Sequence, residues 1–577
     1  MRKPDAPSSG TLIGVFGTTI PPAQRQTHTI GDFNVSFMDG QIAAVFWRDQ
    51  EVARGITYLL RDRNWATCPA SYEIEAEPCG AVSITGAIDH GGIVFEYALR
   101  ISPTDDGGLI LRSLGIAHSD FAANRVGLTV LHPAPEVIGL PLRIKHLHGQ
   151  PSIMRFPDTI VPSQPASDIA ALEYPLTDAQ ALTIRLHAKR PDGSADPFEM
   201  EDQRNWGDAS LKTYVGSLRN PWPFSVKTGD IFEQEIQFDI VPSKGAQPKP
   251  VQKVPDTSSF LLPALGTCIP FGEAISALEN LRKFGSPAPA FVSAYLRSDV
   301  IDEAELSALR SCVALLRCPL RLEIEVNGDP SRTLTEMAQR LTAMDLTVAQ
   351  VLACPAPYLK SYQPDGDWPD VVKLDLFYAV VRQVFPKAEI GGGMLTYFTE
   401  LNRKWPPQHA IDFIAHSYCP IIHAADETTI LQNVSTLPQM ARTIAQNAPS
   451  LPYDLCSAQL SMRSNPYGTA PVPNPTGARI AMAACDPRED AEFAGLWMLR
   501  VTAAIGQTHA RSFCLGALSG PASIYHNDAP YGRRPSFAAF EALCRAEGMD
   551  GTAFEALCDQ LHSSHYKRAV AVLGLEA

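Results

Sequence analysis

Residues 320–353, LRLEIEVNGDPSRTLTEMAQRLTAMDLTVAQVLA, contain the pattern that decides the fold of the larger part of the chain. A candidate strand, Leu320–Val326, is followed by an amphipathic helical stretch, Leu334–Met344, and then by a second strand, Thr347–Ala353. Strands that alternate with helical stretches of this length indicate βαβ units and a parallel sheet. The same rhythm continues on both sides of this stretch, so we expect a repeated strand–helix architecture.

Eight such units follow one another between residues 258 and 520, and this number and length are typical of a (β/α)8 barrel. The candidate strands are Phe260–Gly266, Ala290–Leu296, Leu320–Val326, Thr347–Ala353, Glu389–Leu395, Asp412–Tyr418, Asp454–Leu460 and Arg511–Leu515. The segment between Glu400 and Asp412 is short, so the helix of that unit is expected to be short. We therefore predict a central TIM-like (β/α)8 barrel over residues 258–520.

The regions on either side of the barrel have different patterns. Residues 1–245 contain short alternating runs separated by Gly, Asp and Pro clusters, which predict an all-β sandwich domain. Residues 246–257, rich in Pro, Lys and Gln, are expected to form a linker. Residues 521–577 are expected to be a small C-terminal segment that packs on the body, with two helices and an apolar run, Ala569–Leu575, predicted as a returning strand.

Composition excludes several functional classes. The net charge of −14 and the pI of about 5.5 argue against a nucleic-acid partner, which usually requires a basic surface. The 12 cysteines are scattered without a C-x-x-C pair, which favours reduced thiols and a cytoplasmic protein. The uncharged run Thr257–Gly272 contains two prolines and is too short to span a membrane, and no signal peptide is expected.

Common catalytic motifs are missing from the sequence, but one polar stretch stands out. There is no G-x-S-x-G elbow, no P-loop and no G-x-G-x-x-G fingerprint. The stretch from Phe198 to Tyr214 interleaves acids, cations and amides with Trp206 and Tyr214. Carboxylates and amides bind hydroxyl groups and an aromatic face stacks on C–H bonds, so this stretch suits sugar recognition. The alternative is a salt-bridged loop where the two predicted domains meet.

This stretch, Met200 to Trp206 with Asp208-Ala209-Ser210 and Lys212-Thr213-Tyr214, resembles the D-apionate lactonase family of bacterial sugar-acid catabolism. Further stretches fit the same resemblance: His146-Leu147-His148-Gly149 with Arg155-Phe156-Pro157, Gly391-Gly392-Gly393 through Phe398 to Arg403, and His416 to Pro420 with His423 to Asp426. The resemblance covers most of the chain. It implies an N-terminal domain, a TIM-like barrel and a small C-terminal domain, and the hydrolysis of D-apionolactone to D-apionate. It assigns no residue a catalytic role.

The predicted barrel is glycosidase-like but departs from the retaining glycosidases at two strands. Those enzymes carry one glutamate after strand four and another after strand seven. Here strand four leads into Ala353-Cys354-Pro355, and strand seven leads into Ser461-Met462-Arg463. With no carboxylate at either place, the barrel favours other chemistry. A lactone suits such a pocket because its carbonyl carbon is planar, like the sugar ring in a glycosidase transition state.

Lactone hydrolysis requires a base to activate water, donors for the oxyanion and an acid for the leaving alkoxide. Glu400, after strand five, is the first choice for the base, and pairing with Arg403 is the structural alternative. Glu201 or Asp202 is the candidate second acid or base. His416 is a candidate proton shuttle, with a buried structural histidine as the alternative.

The remaining candidates are substrate-binding residues. They are Arg204, Asn205, Trp206, Asp208, Lys212, His148, Tyr418, His423, Glu325 and Arg463. The pair His146 and His148 could share a metal ion on one strand face, but metal-dependent lactonases need more ligands nearby, so no metal and no cofactor are expected.

Three functions compete. The preferred one is a sugar-acid lactonase that acts on a small-molecule lactone, without a nucleic-acid or membrane partner. The second is a glycoside hydrolase with Glu325 and Glu400 as paired carboxylates, and the third is a non-catalytic carbohydrate-binding protein. The sequence does not determine the oligomeric state.

Overall fold

The computed structural model describes residues 8–243, 260–369, 373–526 and 532–575, which form two compact units. The first, the β-domain, consists of Pro22–Arg204 and Ala209–Gln252. The second, the barrel unit, consists of Met1–Pro21, Asn205–Asp208 and Lys253–Ala577. The predicted linker at 246–257 lies outside the described residues. Four residues, 205–208, thus belong to the barrel unit although the chain on both sides of them belongs to the β-domain.

The described part of the β-domain is built from antiparallel strands with one short α-helix, α2 (Ala134–Val137). Its strands are β1 (Gln26–Ile30), β2 (Phe33–Met38), β3 (Gln41–Trp47), β4 (Gln50–Ala53), β5 (Gly55–Asp62), β6 (Ser71–Ala76), β7 (Val82–His90), β8 (Ile93–Pro103), β9 (Leu109–Ala117), β10 (Phe121–Pro133), β11 (Pro141–His146), β12 (Ser152–Arg155), β13 (Ala166–Pro175), β14 (Gln180–Lys189), β15 (Phe198–Asp202), β16 (Ser210–Val215), β17 (Phe224–Val226) and β18 (Ile231–Pro242).

Two ladders of strands enclose the core of this domain. One ladder runs β6–β7–β8–β9–β18–β14–β13–β11–β12, and the other includes β1–β2–β3–β5–β10–β16–β15. Alternate residues of β8 are buried, as expected for a strand with one face on a core. The rings of Tyr58 on β5 and Tyr97 on β8 stack 4.7 Å apart across the core. The β13–β15 pairing joins the two ladders, so the domain is mostly antiparallel β-sheet around one core, in agreement with the predicted all-β domain.

Eight parallel strands close into a barrel in the second unit. They are β19 (Ala264–Ile269), β20 (Phe291–Arg297), β21 (Leu320–Val326), β22 (Val348–Pro355), β23 (Glu389–Tyr397), β24 (Phe413–Tyr418), β25 (Tyr453–Ala458) and β26 (Ala510–Ala517). Each of the eight strands predicted from the sequence overlaps one of these, so the prediction of a (β/α)8 barrel is confirmed. The largest offset is at β19, which begins four residues after the predicted start.

The helices of the barrel unit come mostly between its strands. They are α1 (Ser9–Phe16), α3 (Ala274–Phe284), α4 (Glu303–Leu316), α5 (Pro330–Ala343), α6 (Leu374–Val384), α7 (Phe398–Arg403), α8 (Glu427–Asn433), α9 (Leu437–Asn447), α10 (Glu492–Gly506), α11 (Ser536–Leu543), α12 (Gly551–Ser564) and α13 (Lys567–Leu573). The helix between β23 and β24, α7, has six residues, as the short connection predicted.

The end of the chain differs from the prediction. The apolar run Ala569–Leu575 is predicted as a strand from its sequence, but most of it lies in α13, whose end is capped by Gly574 in the left-handed conformation. The Ala569 N–H donates to the buried carboxylate of Glu492 on α10, and the Val570 N–H donates to the Tyr566 carbonyl, which closes a helical turn. Among the described residues, no helix has the length and apolar character needed to cross a membrane.

Candidate active site

Four polar side chains from two neighbouring strands, β20 and β21, line the barrel interior. Alternation places Ser293 and Tyr295 of β20 on the same face, and likewise Glu323 and Glu325 of β21. Glu323 accepts a 3.0 Å hydrogen bond from the Ser293 hydroxyl. Glu325 accepts one of 3.0 Å from the Tyr295 hydroxyl, and its carboxylate is 19% exposed. A buried carboxylate thus lies below a partly exposed one towards the carboxyl ends of these strands, where TIM-barrel active sites are found.

Arg463, which follows β25, joins this group to two further strands. Its guanidinium donates to Glu323 at 2.6 Å, to the Ser417 hydroxyl on β24 at 2.8 Å and to the Leu395 carbonyl on β23. Burial would lower the pKa of Arg463, but Glu323 and Tyr295 outweigh burial and raise it. Arg463 therefore stays charged inside the barrel, and its side chain is 16% exposed.

Glu400 is a buried carboxylate in the first turn of α7, directly after β23. Its Oε2 accepts a 3.2 Å hydrogen bond from the Tyr397 N–H, which fixes the carboxylate. Its Oε1 is buried and has no hydrogen-bond partner among the described residues. Burial raises the pKa of Glu400, and Arg403, the Ser361 hydroxyl and the Tyr397 N–H oppose that shift only in part.

Arg403, one turn after Glu400 on α7, has a buried unpartnered atom of the opposite kind. Its Nη1 donates to the Ser361 hydroxyl at 3.1 Å and to the Tyr362 carbonyl at 3.2 Å. Its Nε–H has no hydrogen-bond acceptor among the described residues. Because an unpaired buried polar atom costs about 1–3 kcal/mol, a neighbouring unpaired acceptor and donor mark a place for a polar ligand or a water molecule.

The segment Asn205–Asp208 is held against this helix. The Thr399 hydroxyl donates to the Asn205 backbone carbonyl at 2.8 Å, and the Asn402 amide donates to the Asn205 side-chain oxygen at 2.8 Å. Both donors lie on α7, the helix of Glu400. The next residue, Trp206, is partly exposed, and the Arg403 guanidinium lies 5.1 Å from its ring centre.

A carboxylate–imidazole pair lies next to Trp206. The His423 Nδ1 is 2.5 Å from the Asp208 Oδ2, and the other Asp208 oxygen accepts from the Asn433 amide at 3.4 Å. The His423 and Trp206 rings are 5.8 Å apart, edge to face. Asp208 is buried whereas the His423 side chain is 29% exposed, so Asp208 orients an imidazole that remains accessible.

Gly207 allows this segment to pack closely. Its φ of 88° lies in the left-handed region, and a Cβ there would be 3.0 Å from the ring of buried Tyr418. The structure therefore brings together several of the residues predicted from the sequence. They are Asn205, Trp206, Asp208, Glu400, Tyr418 and His423.

Other predicted residues are paired within the β-domain. Asp202 and Arg204 form a fully buried bidentate ion pair, with Arg204 Nε and Nη2 donating to the two carboxylate oxygens at 2.8 and 2.7 Å. Glu201 lies 2.5 Å from the Lys212 ammonium. Burial lowers the pKa of Lys212, and Glu201 opposes that shift. Each of these four charged side chains therefore has an oppositely charged partner within the β-domain.

The two histidines considered as metal ligands have separate partners in the β-domain. His146 bonds to the Ser167 carbonyl and the Ser152 hydroxyl, and exposed His148 bonds to Asp168. Within the described parts of the chain, no three His, Cys, Asp or Glu side chains are grouped so that they could hold a metal ion.

His416 lies fully buried in the barrel wall. Its Nδ1 is 2.9 Å from the Ser417 carbonyl and its Nε2 is 3.0 Å from the Tyr453 hydroxyl. Burial lowers the pKa of His416 to about 4, although the Ser417 carbonyl opposes the shift. A neutral imidazole with both nitrogens engaged matches the structural alternative stated for this residue.

The strand ends that carry glutamates in retaining glycosidases are occupied differently here. Strand four, β22, ends at Cys354-Pro355, and strand seven, β25, ends at Ala458. Burial raises the pKa of Cys354 to about 12, and the negative charges of Glu325 and Glu400 both add to the shift. Cys354 is thus close enough to both carboxylates for their charges to raise its pKa.

Sequence reasoning missed several residues of this region. They are Ser293, Tyr295, Glu323, Ser361, Thr399, Asn402, Asn433 and Glu489. Glu323 could have been found, because it shares strand parity with Glu325. Glu489 could not, because its carboxylate reaches the end of strand seven from a position 29 residues beyond Leu460.

Comparisons with known proteins cover nearly the whole chain. The family model described as "D-apionate lactonase, N-terminal domain" matches residues 13–243, and "D-apionate lactonase, TIM barrel domain" matches residues 265–548. A D-apionate lactonase from Brucella anthropi is 30% identical over 568 residues, which cover 93% of this chain and 90% of that protein.

The chain belongs to the D-apionate lactonase family. It is therefore a hydrolase that acts on a lactone, a cyclic ester, and the resemblance carried by the stretch around Trp206 is confirmed. As a member of this family, it takes a small-molecule lactone as its substrate.

Solved structures add weak likenesses to individual parts of this lactonase. A fungal β-1,4-galactanase has a TM-score of 0.31 and 12% identity, covering 48% of this chain and 99% of its own. A GalM/aldose epimerase homologue from C. elegans has a TM-score of 0.27 and 8% identity, covering 38% of this chain and 100% of its own. Scores this low say nothing about chemistry.

Proposed function

We propose that this lactonase hydrolyses D-apionolactone to D-apionate by general acid/base catalysis at the carboxyl end of the barrel, with Glu400 as the base. The substrate follows from the name of the Brucella anthropi relative, a D-apionate lactonase. One observation carries the placement of the reaction. Glu400 Oε1 and Arg403 Nε are both buried without a partner among the described residues, one helical turn apart, in a chain that acts on lactones.

The pair of unpartnered atoms suits a hydrolytic water molecule. A water that accepts from Arg403 Nε–H and donates to Glu400 Oε1 would satisfy both buried atoms. Burial raises the pKa of Glu400, which makes its carboxylate a stronger base than one in water. Glu400 takes one proton from the water while the oxygen bonds to the lactone carbonyl carbon, and the charge of Arg403 lies beside the developing oxyanion.

His423 is the acid that this proposal assigns to the last step. When the tetrahedral intermediate collapses, the bond between the carbonyl carbon and the ring oxygen breaks, and that oxygen must gain a proton. In its protonated form, His423 donates the proton from Nε2, because Asp208 holds the Nδ1 side. Glu400 then releases its proton, His423 regains one through solvent and the carboxylic acid product ionises, so the reaction yields one carboxylate and one net proton.

Substrate recognition falls to the partly exposed groups around this pair. Trp206 offers a ring face next to Arg403, suited to the C–H face of a sugar-derived lactone. Glu325 and Arg463 offer an acceptor and a donor for hydroxyl groups. Asn205, bonded to Asn402, and Tyr418, packed against Gly207, hold the backbone on both sides of Trp206 and need not touch the substrate.

Other candidates from the sequence are given no chemical role in this proposal. The Asp202–Arg204 pair and the Glu201–Lys212 pair each satisfy their own charges, and both nitrogens of His416 are engaged. His148 bonds to Asp168 within the β-domain. A glycoside hydrolase with Glu325 and Glu400 becomes an outcome of the test, because both carboxylates lie near Cys354.

The test is proton release in weakly buffered medium after D-apionolactone is mixed with the enzyme, with D-glucono- and D-xylonolactone in parallel. We expect acidification well above the spontaneous rate with D-apionolactone, and a much smaller kcat/KM for the other two lactones. Equal rates with all three lactones would contradict the substrate assignment. Hydrolysis of aryl glycosides that is lost in both Glu325→Gln and Glu400→Gln would support the glycosidase.

A further inference from the structure

Glu489 is a buried carboxylate that touches the end of strand seven. It lies in the turn Pro487–Asp490 before α10 and is 4% exposed. Its Oε1 accepts two hydrogen bonds, from the Leu460 N–H at 3.1 Å and from the Ser461 N–H at 3.0 Å. The N–H groups of Leu460 and Ser461, which follow β25, therefore have their hydrogen-bond acceptor on a side chain from a distant part of the sequence.

This contact is two residues away from Arg463. The segment between them is held on both sides, because the Met462 N–H donates to the Ala483 carbonyl at 2.8 Å and the Ser461 hydroxyl accepts from the Asp486 N–H at 2.9 Å. From the end of this segment, the Arg463 guanidinium extends to Glu323 and to strands β23 and β24. Two hydrogen bonds, followed by two residues of fixed backbone, thus connect Glu489 to the cation inside the barrel.

We propose that Glu489 is a positioning residue for Arg463: by accepting the Leu460 and Ser461 N–H groups, it fixes the backbone that delivers the Arg463 guanidinium to the barrel mouth. This inference rests on the proposed function, in which Arg463 binds a substrate hydroxyl. Glu489 itself does not touch the substrate.

The charges around Glu489 make the strength of its hydrogen bonds to Leu460 and Ser461 depend on pH. Burial raises the pKa of Glu489 to about 7; the Ser461 N–H and Arg534 oppose the shift, whereas Asp486 and Asp490 add to it. Arg534 lies 2.5 Å from Asp490, and Asp486 is paired with Arg488. Protonation removes the negative charge that attracts the two N–H groups, so the hold on the Arg463 segment weakens as pH falls below 7.

The test is a double-mutant cycle with Glu489→Ala and Arg463→Lys, measured as KM and kcat for the lactone at pH 8. We expect each single variant to raise KM about tenfold, and the double variant to raise it little more than either one. Glu489→Gln keeps an acceptor oxygen, so it should change KM by less than threefold and remove the rise of KM between pH 8 and pH 6.

Glu492→Ala is the matched control. Glu492 is also 4% exposed and also accepts a backbone N–H, from Ala569, but it lies on α10 and holds α13. We expect this variant to lower the melting temperature without raising KM. A rise in KM in Glu492→Ala equal to that in Glu489→Ala, or KM effects of Glu489→Ala and Arg463→Lys that multiply in the double variant, would overturn the inference.

The inference can fail or survive independently of the lactonase assignment. If the wild-type enzyme hydrolyses no lactone, the same cycle is measured by urea unfolding. Coupling between Glu489→Ala and Arg463→Lys, absent between Glu492→Ala and Arg463→Lys, would then support the positioning contact. Additive changes in the unfolding midpoint would overturn it.

Discussion

Two of the buried ion pairs share one local geometry. In Asp202-Gln203-Arg204 and in Asp486-Pro487-Arg488, the aspartate accepts from the arginine backbone N–H and from its Nε and Nη2. All four side chains are fully buried. Because this motif satisfies every charge locally, it indicates a structural role. Glu400 differs, because one of its oxygens has no protein partner among the described residues.

Asp202→Ala should therefore affect folding rather than chemistry. The substitution leaves the Arg204 guanidinium uncompensated in the β-domain, and removing one partner of a buried pair costs about 3–5 kcal/mol. Urea unfolding should show this loss, with kcat/KM per folded molecule unchanged. Glu235→Ala, which removes an exposed pair with Arg112, should cost at most about 1 kcal/mol. A large loss of kcat in fully folded Asp202→Ala would contradict a purely structural role.

His423→Gln should slow hydrolysis about 10²-fold or more, because the leaving alkoxide then lacks its proton donor. Asp208→Asn should cause a smaller loss, since the imidazole remains but is less firmly oriented. The matched control is His409→Gln, which removes an exposed histidine paired with Asp375 at 3.0 Å. Steady-state kinetics of the three variants and the wild type measure these losses in rate. Equal, small losses in His423→Gln and His409→Gln would contradict the acid role.

Single elements were predicted from the sequence with unequal success. Hydrophobic periodicity located all eight barrel strands, and the short interval between Glu400 and Asp412 correctly predicted the short helix α7. A strand was wrongly predicted at Ala569–Leu575, because a short apolar run fits both periodicities; the long-range contact of Ala569 with Glu492, which holds the helix α13, could not be predicted from the run itself.

The close packing of β23 and β24 depends on Gly393. Its φ is 131°, and a Cβ added to this residue would lie only 2.0 Å from the Ala415 carbonyl oxygen, which leaves no room for a side chain. Gly393→Ala should therefore destabilise the barrel by several kcal/mol, on the order of 3 or more, since both backbone strain and a steric clash add up. Thermal unfolding checks this.

Gly477→Ala is the control for that substitution. Gly477 also has a positive φ, 62°, but open space surrounds the position of its Cβ. We expect a loss of only about 1 kcal/mol, from backbone strain alone. A melting temperature for Gly393→Ala that equals that of Gly477→Ala would show that β23 and β24 can separate without cost.

At the scale of the whole molecule, the sequence predicted the fold better than the site. The order of a β-sandwich and a barrel follows from local periodicity, which each segment carries by itself. The site does not follow from local periodicity, because it is formed by Asn205–Asp208, α7 and His423, which come from separate parts of the chain. The residue types around Trp206 indicated sugar chemistry, but their partners on α7 depend on long-range packing.

The buried Glu489 should make stability depend on pH. Its folded pKa of about 7 lies above the ordinary value of 4.5, so its contribution to stability is fully present below pH 4.5 and is lost as pH rises through 7. At about 1.4 kcal/mol per pKa unit, the loss amounts to roughly 3–4 kcal/mol. Glu489→Gln should remove this component from unfolding curves measured between pH 5 and pH 8. An unchanged pH dependence would contradict the shift.

The central claim is that Glu400 is the base of a lactonase, and it is tested by proton release from D-apionolactone at neutral pH in the wild type and in Glu400→Gln. Activity in the wild type should rise with pH as Glu400 loses its proton, since burial raises its pKa. The variant should lose about 10²–10⁴-fold in kcat while remaining folded, because the glutamine cannot accept a proton. Glu303→Gln, on the exposed surface of α4, should retain full activity. A folded Glu400→Gln enzyme with wild-type kcat would contradict this role and move the base elsewhere.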